Sequence, residues 1–276
     1  MRPVEAELRA KLIDDFSAQV LTGALSVIGN PDNPIRLNQF AAAIRELFGH
    51  TLHALGPDTH VTQCEWFEPE PQTHRPTRRQ RAKYATQGGL SDEYIEGLGV
   101  DVKHLHDAAI KAVDDMNKYT HVRPNTIVDD PHEIAAFVDG AMDALLGLFK
   151  SFDECRAAVL DALSEQIDNE AVNALISDTI LSVDELATHH SIEEVYVDQT
   201  RVVALTHDTI YFKATGTLAV ELQWGSNSDL RRGDGATLDE SFPFEVTIES
   251  PIDDISDFGE VEYSVDTSKW HNDRKE

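Results

Sequence analysis

Residues 191–224, SIEEVYVDQTRVVALTHDTIYFKATGTLAVELQW, decide the architecture of this chain. Val195 and Val197 alternate with polar residues, and segments 202–205, 210–212 and 218–224 are rich in β-branched and aromatic side chains. Such runs build strands, because branched side chains pack well on a pleated, half-buried surface. His207-Asp208 and Thr215-Gly216 read as turns, so three antiparallel strands in a meander are expected. A glycine-rich connection at 225–235 follows, then two further strand patterns at 242–248 and 261–265.

Everything before this stretch reads as helix. Leu8, Leu12, Phe16, Val20 and residues 24–28 recur at helical spacing up to Gly29-Asn30. Asn33-Pro34 opens a second helix, with Leu37, Phe40, Ala41, Ile44, Phe48, Leu52 and Leu55 on one face, ending at Gly56-Pro57. Thr77 and Gln80 form a capping-box pattern for a helix over 77–87, which Gly88-Gly89 ends. Further helices are expected at 101–120, 134–149, 153–167 and 169–187, the fourth-last and third-last separated by Asp130-Pro131. The fold class is therefore α+β: a multi-helical domain over 1–190, a small antiparallel β domain over 191–268, and a loose tail over 269–276.

Composition narrows the function. The 276 residues carry 23 basic and 50 acidic side chains, a formal charge of −27. The halves differ, with 15 basic against 22 acidic groups in residues 1–150 and 8 against 28 in 151–276. A polyanion repels nucleic acid unless positive charge is locally concentrated. Nine lysines against 28 aspartates suit a solvated, halophile-like surface, under which the charge says nothing about partners. No run of eighteen apolar residues, no secretory leader and only two cysteines, Cys64 and Cys155, lead us to expect a soluble cytoplasmic protein without a disulfide framework or membrane contact. No Walker loop, dinucleotide fingerprint, GxSxG or HExxH occurs, and no cofactor is expected.

One stretch opposes the acidic trend. Arg75, Arg78, Arg79, Arg81 and Lys83 lie together at the start of the 77–87 helix, where free N–H groups and cations both suit phosphate. A second cluster closes the 101–120 helix, Met116-Asn117-Lys118-Tyr119-Thr120-His121, with Arg123 next. Asn117 and His121, four apart, are expected to share a helical face. There His121 would move a proton near neutrality while Asn117 and Lys118 hold a phosphate.

Segment 116–121 resembles the motif that closes a late helix of HEPN domains: arginine, a polar residue, three variable positions and histidine. Asn117 and His121 stand in their places, and Met116 stands where arginine belongs. The helix IRLNQFAAAIRELFGHTLHAL, residues 35–55, is similar to the early helix of such domains. It holds a second match to the spacing, Arg45 to His50, on positions that fall on different helical faces. Residues of about 30–125, with TRRQRAKYATQGGLSDEY and MNKYTHV, look like the predicted nucleases associated with prokaryotic PIWI-type defence modules.

That resemblance implies binding or metal-independent cleavage of RNA at a two-fold homodimer interface, beside a defence-module protein partner. Met116 leaves the arginine's role to Arg123, Lys118 or an arginine of the 75–81 run. A non-catalytic dimeric scaffold is the alternative it also allows.

Other readings stay open at this level. Asp208 with Glu221 and Gln223 on one strand face would suit a metal-dependent nuclease. His189-His190 would suit a metal only if adjacent histidines turned to one side. Arg231 and Arg232, inside the 225–235 connection, would suit an anion.

Overall fold

The computed structural model describes residues 3–72 and 74–272, and it is α+β. The chain divides into two compact units, residues 1–158 and 159–276. That division by contacts falls inside a helix; the change from helix to strand comes later, at His189.

The first unit holds α1 (Pro3–Lys11), α2 (Asp15–Ile28), α3 (Arg36–Leu55), α4 (Asp58–Val61), α5 (Arg78–Gln87), α6 (Asp92–Gly97) and α7 (Val102–Tyr119). It also holds the first part of α8 (Pro131–Ser177). The single helix expected before Gly29 is broken in two, because Asp14 turns out of the helix and accepts hydrogen bonds from Ser17 N and Ser17 Oγ. Asn33 does not cap α3 directly. Its carboxamide oxygen accepts from Ile35 N at 3.1 Å, and the helix begins one residue later. The Thr77–Gln80 capping box is present as expected.

α3 is the central helix of this unit and packs against α2, α5 and α7. Its Leu37, Phe40, Ile44, Leu47, Phe48 and Leu52 are buried among Leu21 and Ala24 of α2, Val113 and Met116 of α7, and Val138 and Leu145 of α8. Each such side chain is worth roughly 1.5–3 kcal/mol on burial, so the apolar stripe on α3 outweighs any capping defect.

One polar cluster sits inside. Thr86 Oγ1 of α5 donates to Ala82 O, so His106 Nε2 of α7 donates to Thr86 at 2.9 Å, with Ser151 Oγ of α8 at 3.4 Å. Burial above all, then the charge of Arg79, pushes His106 down to about 4 from 6.5. The folded protein thus keeps this ring neutral, whereas the unfolded chain takes up the proton near 6.5. Stability should therefore fall as pH drops from 6.5 towards 4. Denaturant midpoints across that window measure the slope, and His106→Gln should flatten it.

α8 is one helix where three were expected. Gly140, Gly147 and the polar pair Lys150-Ser151 do not interrupt it, and Ser151 donates to Leu148 O within the helix. In the second unit, Val159, Leu163, Ile167, Ala171 and Leu175 form a buried stripe along α8. α9 (Leu181–Asp184) leads into a four-stranded antiparallel sheet in the order β1-β2-β3-β4, with β1 (His189–Leu205), β2 (Thr209–Trp224), β3 (Ala236–Pro251) and β4 (Val261–Val265). Phe212, Leu218, Val220, Phe244, Val246 and Ile248 form its buried face, and Thr200 of β1 donates to Asp168 of α8 at 3.0 Å.

Two local expectations fail here. Thr215-Gly216 is no turn but the middle of β2. A Cβ on Gly216 would lie 1.9 Å from Tyr196 O and 2.7 Å from the Phe244 ring, so glycine is demanded by close approach rather than by chain reversal. β1 is a single long edge strand with three register shifts, between 192 and 194, 197 and 199, and 202 and 204. Those bulges explain its broken alternation and blunt an edge that would otherwise recruit another strand.

The connection at 225–235 contains α10 (Asn227–Arg232), capped by Ser226 and closed by Gly233 at φ 80°. Residues 269–272 of the expected tail, together with Ser268, form α11 (Ser268–Asn272), with the Trp270 ring stacked on Trp224 at 6.0 Å; residues 273–276 lie outside the described residues. No helix among the described residues is long and apolar enough to cross a membrane.

Candidate functional site

α3 presents a polar strip on the side away from its core stripe. Glu46, His50 and His53 recur at four and three residues, with Arg45 and Gly49 on the adjoining row. Together with Phe16 of α2 and Arg78 and Arg81 of α5 they line a cleft of about 480 Å³. Arg45 and His50, expected on separate faces, thus open onto one space.

His50 has a fixed partner. Its Nε2 lies 2.7 Å from Asp14 Oδ2, and its ring meets Phe16 edge-on at 4.8 Å. The Ser17 hydroxyl and backbone N–H donate to Asp14, and with His50 they hold this carboxyl down at about 2. Asp14 is therefore charged at any pH where the protein functions, and it fixes the imidazole.

His53 is tuned the other way. Burial first, then the positive charge of Arg81 and Arg78, lowers its pKa below the usual 6.5, against the pull of Asp58. At neutral pH it is an uncharged base beside cations.

The basic run on α5 splits by helical rotation. Arg81 is only 3% exposed; it donates to Gly56 O at the end of α3 and pairs with Asp58. A Cβ on Gly56 would lie 2.9 Å from Arg81 O, so the two helix ends meet backbone to backbone. Arg79 pairs with Asp107 of α7 at 2.5 Å. Lys83 pairs with Asp92 at 2.8 Å and lies 4.6 Å over the Trp66 ring. Arg75 is exposed and acts on Asp58 electrostatically. Arg78 is exposed, lines the cleft, and makes no ion pair among the described residues.

The end of α7 is arranged differently from its sequence reading. Met116 is fully buried in the helical core. The helix stops at Tyr119, so His121 lies beyond it, exposed, rather than on the face of Asn117. Asn117 instead accepts from Arg45 Nη1 at 3.5 Å. Lys118 pairs with Asp115, which raises its pKa, and Arg123 is exposed.

The loop carrying His121 is tied down. Asn38 of α3, 2% exposed, donates through Nδ2 to Tyr119 O at 2.8 Å and Thr126 O at 3.2 Å. Thr126 Oγ1 donates to His121 O at 2.9 Å.

Sequence reading missed Asp14, Phe16, His53 and Asn38. Only Asp14 left a signal, an aspartate three residues before Ser17, the spacing of an N-cap to the N–H it accepts from.

The alternatives in the second unit find other uses for their residues. Asp208 accepts from Thr206 and Thr209, and Gln223 donates to Gly225 O at 2.8 Å. His190 Nδ1 lies 3.5 Å from Asp184. Arg231 donates to Asn227 O, and Arg232 pairs with Asp229 and Asp234. Among the described residues no three His, Cys, Asp or Glu side chains gather as a metal set.

Two family models, each described as a predicted pPIWI-associating nuclease, match residues 9–145 and 152–271, almost the whole chain. No curated protein and no solved structure matches it.

Proposed function

Because the chain belongs to the predicted pPIWI-associating nucleases, we propose that it cleaves RNA by histidine acid–base chemistry in the cleft between α2, α3 and α5. The observation that carries this reading is the Asp14–His50 pair opening onto the same cleft as Arg45, His53 and Arg78. RNA supplies its own nucleophile, so the protein need only move protons and hold charge.

In this reading neutral His53 takes the 2′-hydroxyl proton as that oxygen attacks phosphorus. Protonated His50, balanced by Asp14, gives its proton to the leaving 5′-oxygen, and a 2′,3′-cyclic phosphate remains. Arg45 and Arg78 offset the charge on the phosphoryl oxygens, and Phe16 offers a ring face to a base. Homodimerisation, as in the HEPN domains the sequence resembles, and docking to a PIWI-type partner of a defence module belong to the same proposal.

A second reading keeps His121 as the acid or base, with Asn117 and Lys118 around the phosphate. The Arg45–Asn117 contact favours it, because Arg45 then stands in for the arginine that Met116 lacks. One experiment separates the two: cleavage of labelled single-stranded RNA in EDTA, at low and molar KCl, by the wild type, His50→Ala and His121→Ala. Loss only in His50→Ala supports the cleft, and loss only in His121→Ala supports the α7 end. Absence of cleavage by the folded wild type at either salt overturns both and leaves a binding scaffold.

A further inference from the structure

The sheet carries nine carboxylates and two cations, and the two cations, Arg201 and Lys213, stand directly opposite each other in the β1–β2 ladder. Like charges in that position repel. Lys213 is partly offset by Glu245 of β3 at 2.5 Å. Arg201 is exposed and makes no ion pair among the described residues. One step along the same face Gln199 opposes Thr215, and these five residues line a recess of about 200 Å³. At ~30 Å³ per water, that volume holds one tetrahedral oxyanion with part of its hydration.

We propose that this recess binds a phosphate monoester. The Arg201 fork grips two oxygens, Lys213 supplies the second charge, and Gln199 and Thr215 complete the polar wall. Glu245 sets the selectivity. Its carboxylate repels a fully ionised oxyanion but accepts a hydrogen bond from a P–OH group. Sulfate and a phosphodiester have no such proton; a terminal phosphate has one near and below its second pKa of about 6. The site therefore reads a free phosphate or the phosphorylated end of a nucleic acid, not its backbone. It stands on different residues from the α3 cleft and does not depend on that reading.

The test is calorimetric titration of the full chain at pH 6 and constant ionic strength. The probes are inorganic phosphate, sulfate, and a short DNA oligonucleotide with and without a 5′-phosphate. Saturable phosphate binding is expected, at least tenfold weaker for sulfate and at least tenfold weaker in Arg201→Gln. Glu245→Gln, whose amide donates, should bring sulfate level with phosphate. Binding of the phosphorylated oligonucleotide alone identifies a nucleic-acid end as the source, and binding of inorganic phosphate alone identifies the free ion; either supports the site. Unchanged phosphate affinity in a folded Arg201→Gln, equal affinity for sulfate in the wild type, or no saturable binding overturns it.

Discussion

Replacing His50 with alanine should lower the rate of RNA cleavage by roughly 10²–10⁴-fold, the usual worth of one positioned acid or base. The fold should survive, because His50 is half-buried on the cleft wall and Asp14 keeps both hydrogen bonds from Ser17 without it. Asp14→Asn separates position from charge. Asparagine caps a helix about as well as aspartate, so α2 should stay intact while the imidazole loses its anionic partner and cleavage falls by a smaller factor. The carboxyl of Asp14 titrates between its ordinary 3.8 and about 2, so its contribution to stability is complete above 3.8 and lost only below that.

His53 fixes the acid side of the pH profile. Its lowered pKa keeps it a free base below 6.5, so activity should persist into more acidic solution than an ordinary histidine would allow. Initial rates measured through that range, for the wild type and for His53→Ala, test the assignment. An acid limb at or above 6.5 would remove His53 as the base.

What could be read from the sequence was what neighbours along the chain decide. The Thr77–Gln80 box and the end of α5 at Gly88 are local hydrogen bonding, and each is found where its pattern stood. Gly216 was misread because the pressure on it comes from Tyr196 and Phe244, on two other strands. α8 reads as three helices parted at residues 150–152 and 168, yet Phe149, Phe152 and Cys155 are buried across the first gap, and the stripe from Val159 to Leu175 runs across the second. The site follows the same division. The Arg45–His50 spacing was visible, but the partner that gives His50 a role lies 36 residues earlier, and α5 closes the cleft from 28 residues later. Arg79, Arg81 and Lys83 formed a legible basic run, and only the fold reveals which carboxylates take them up.

Met116 brings the two levels into direct conflict, and Met116→Arg tests which one governs. By motif, arginine there completes the pattern ending at His121 and should raise activity. By structure, position 116 is fully buried in the helical core, alongside Val113 of α7 and Phe40, Ile44 and Phe48 of α3. An unpaired guanidinium in such a place costs roughly 3–5 kcal/mol, comparable to breaking a buried ion pair. Met116→Leu, which nearly conserves volume, should cost less than about 1.5 kcal/mol. Denaturant unfolding of both variants, with RNA cleavage alongside, should therefore show a sharp loss of stability only for arginine and no gain in rate. Wild-type stability together with faster cleavage in Met116→Arg would mean that the end of α7 turns this position towards His121. The catalytic centre would then belong there, with Arg45 and Asn117, and not in the cleft along α3.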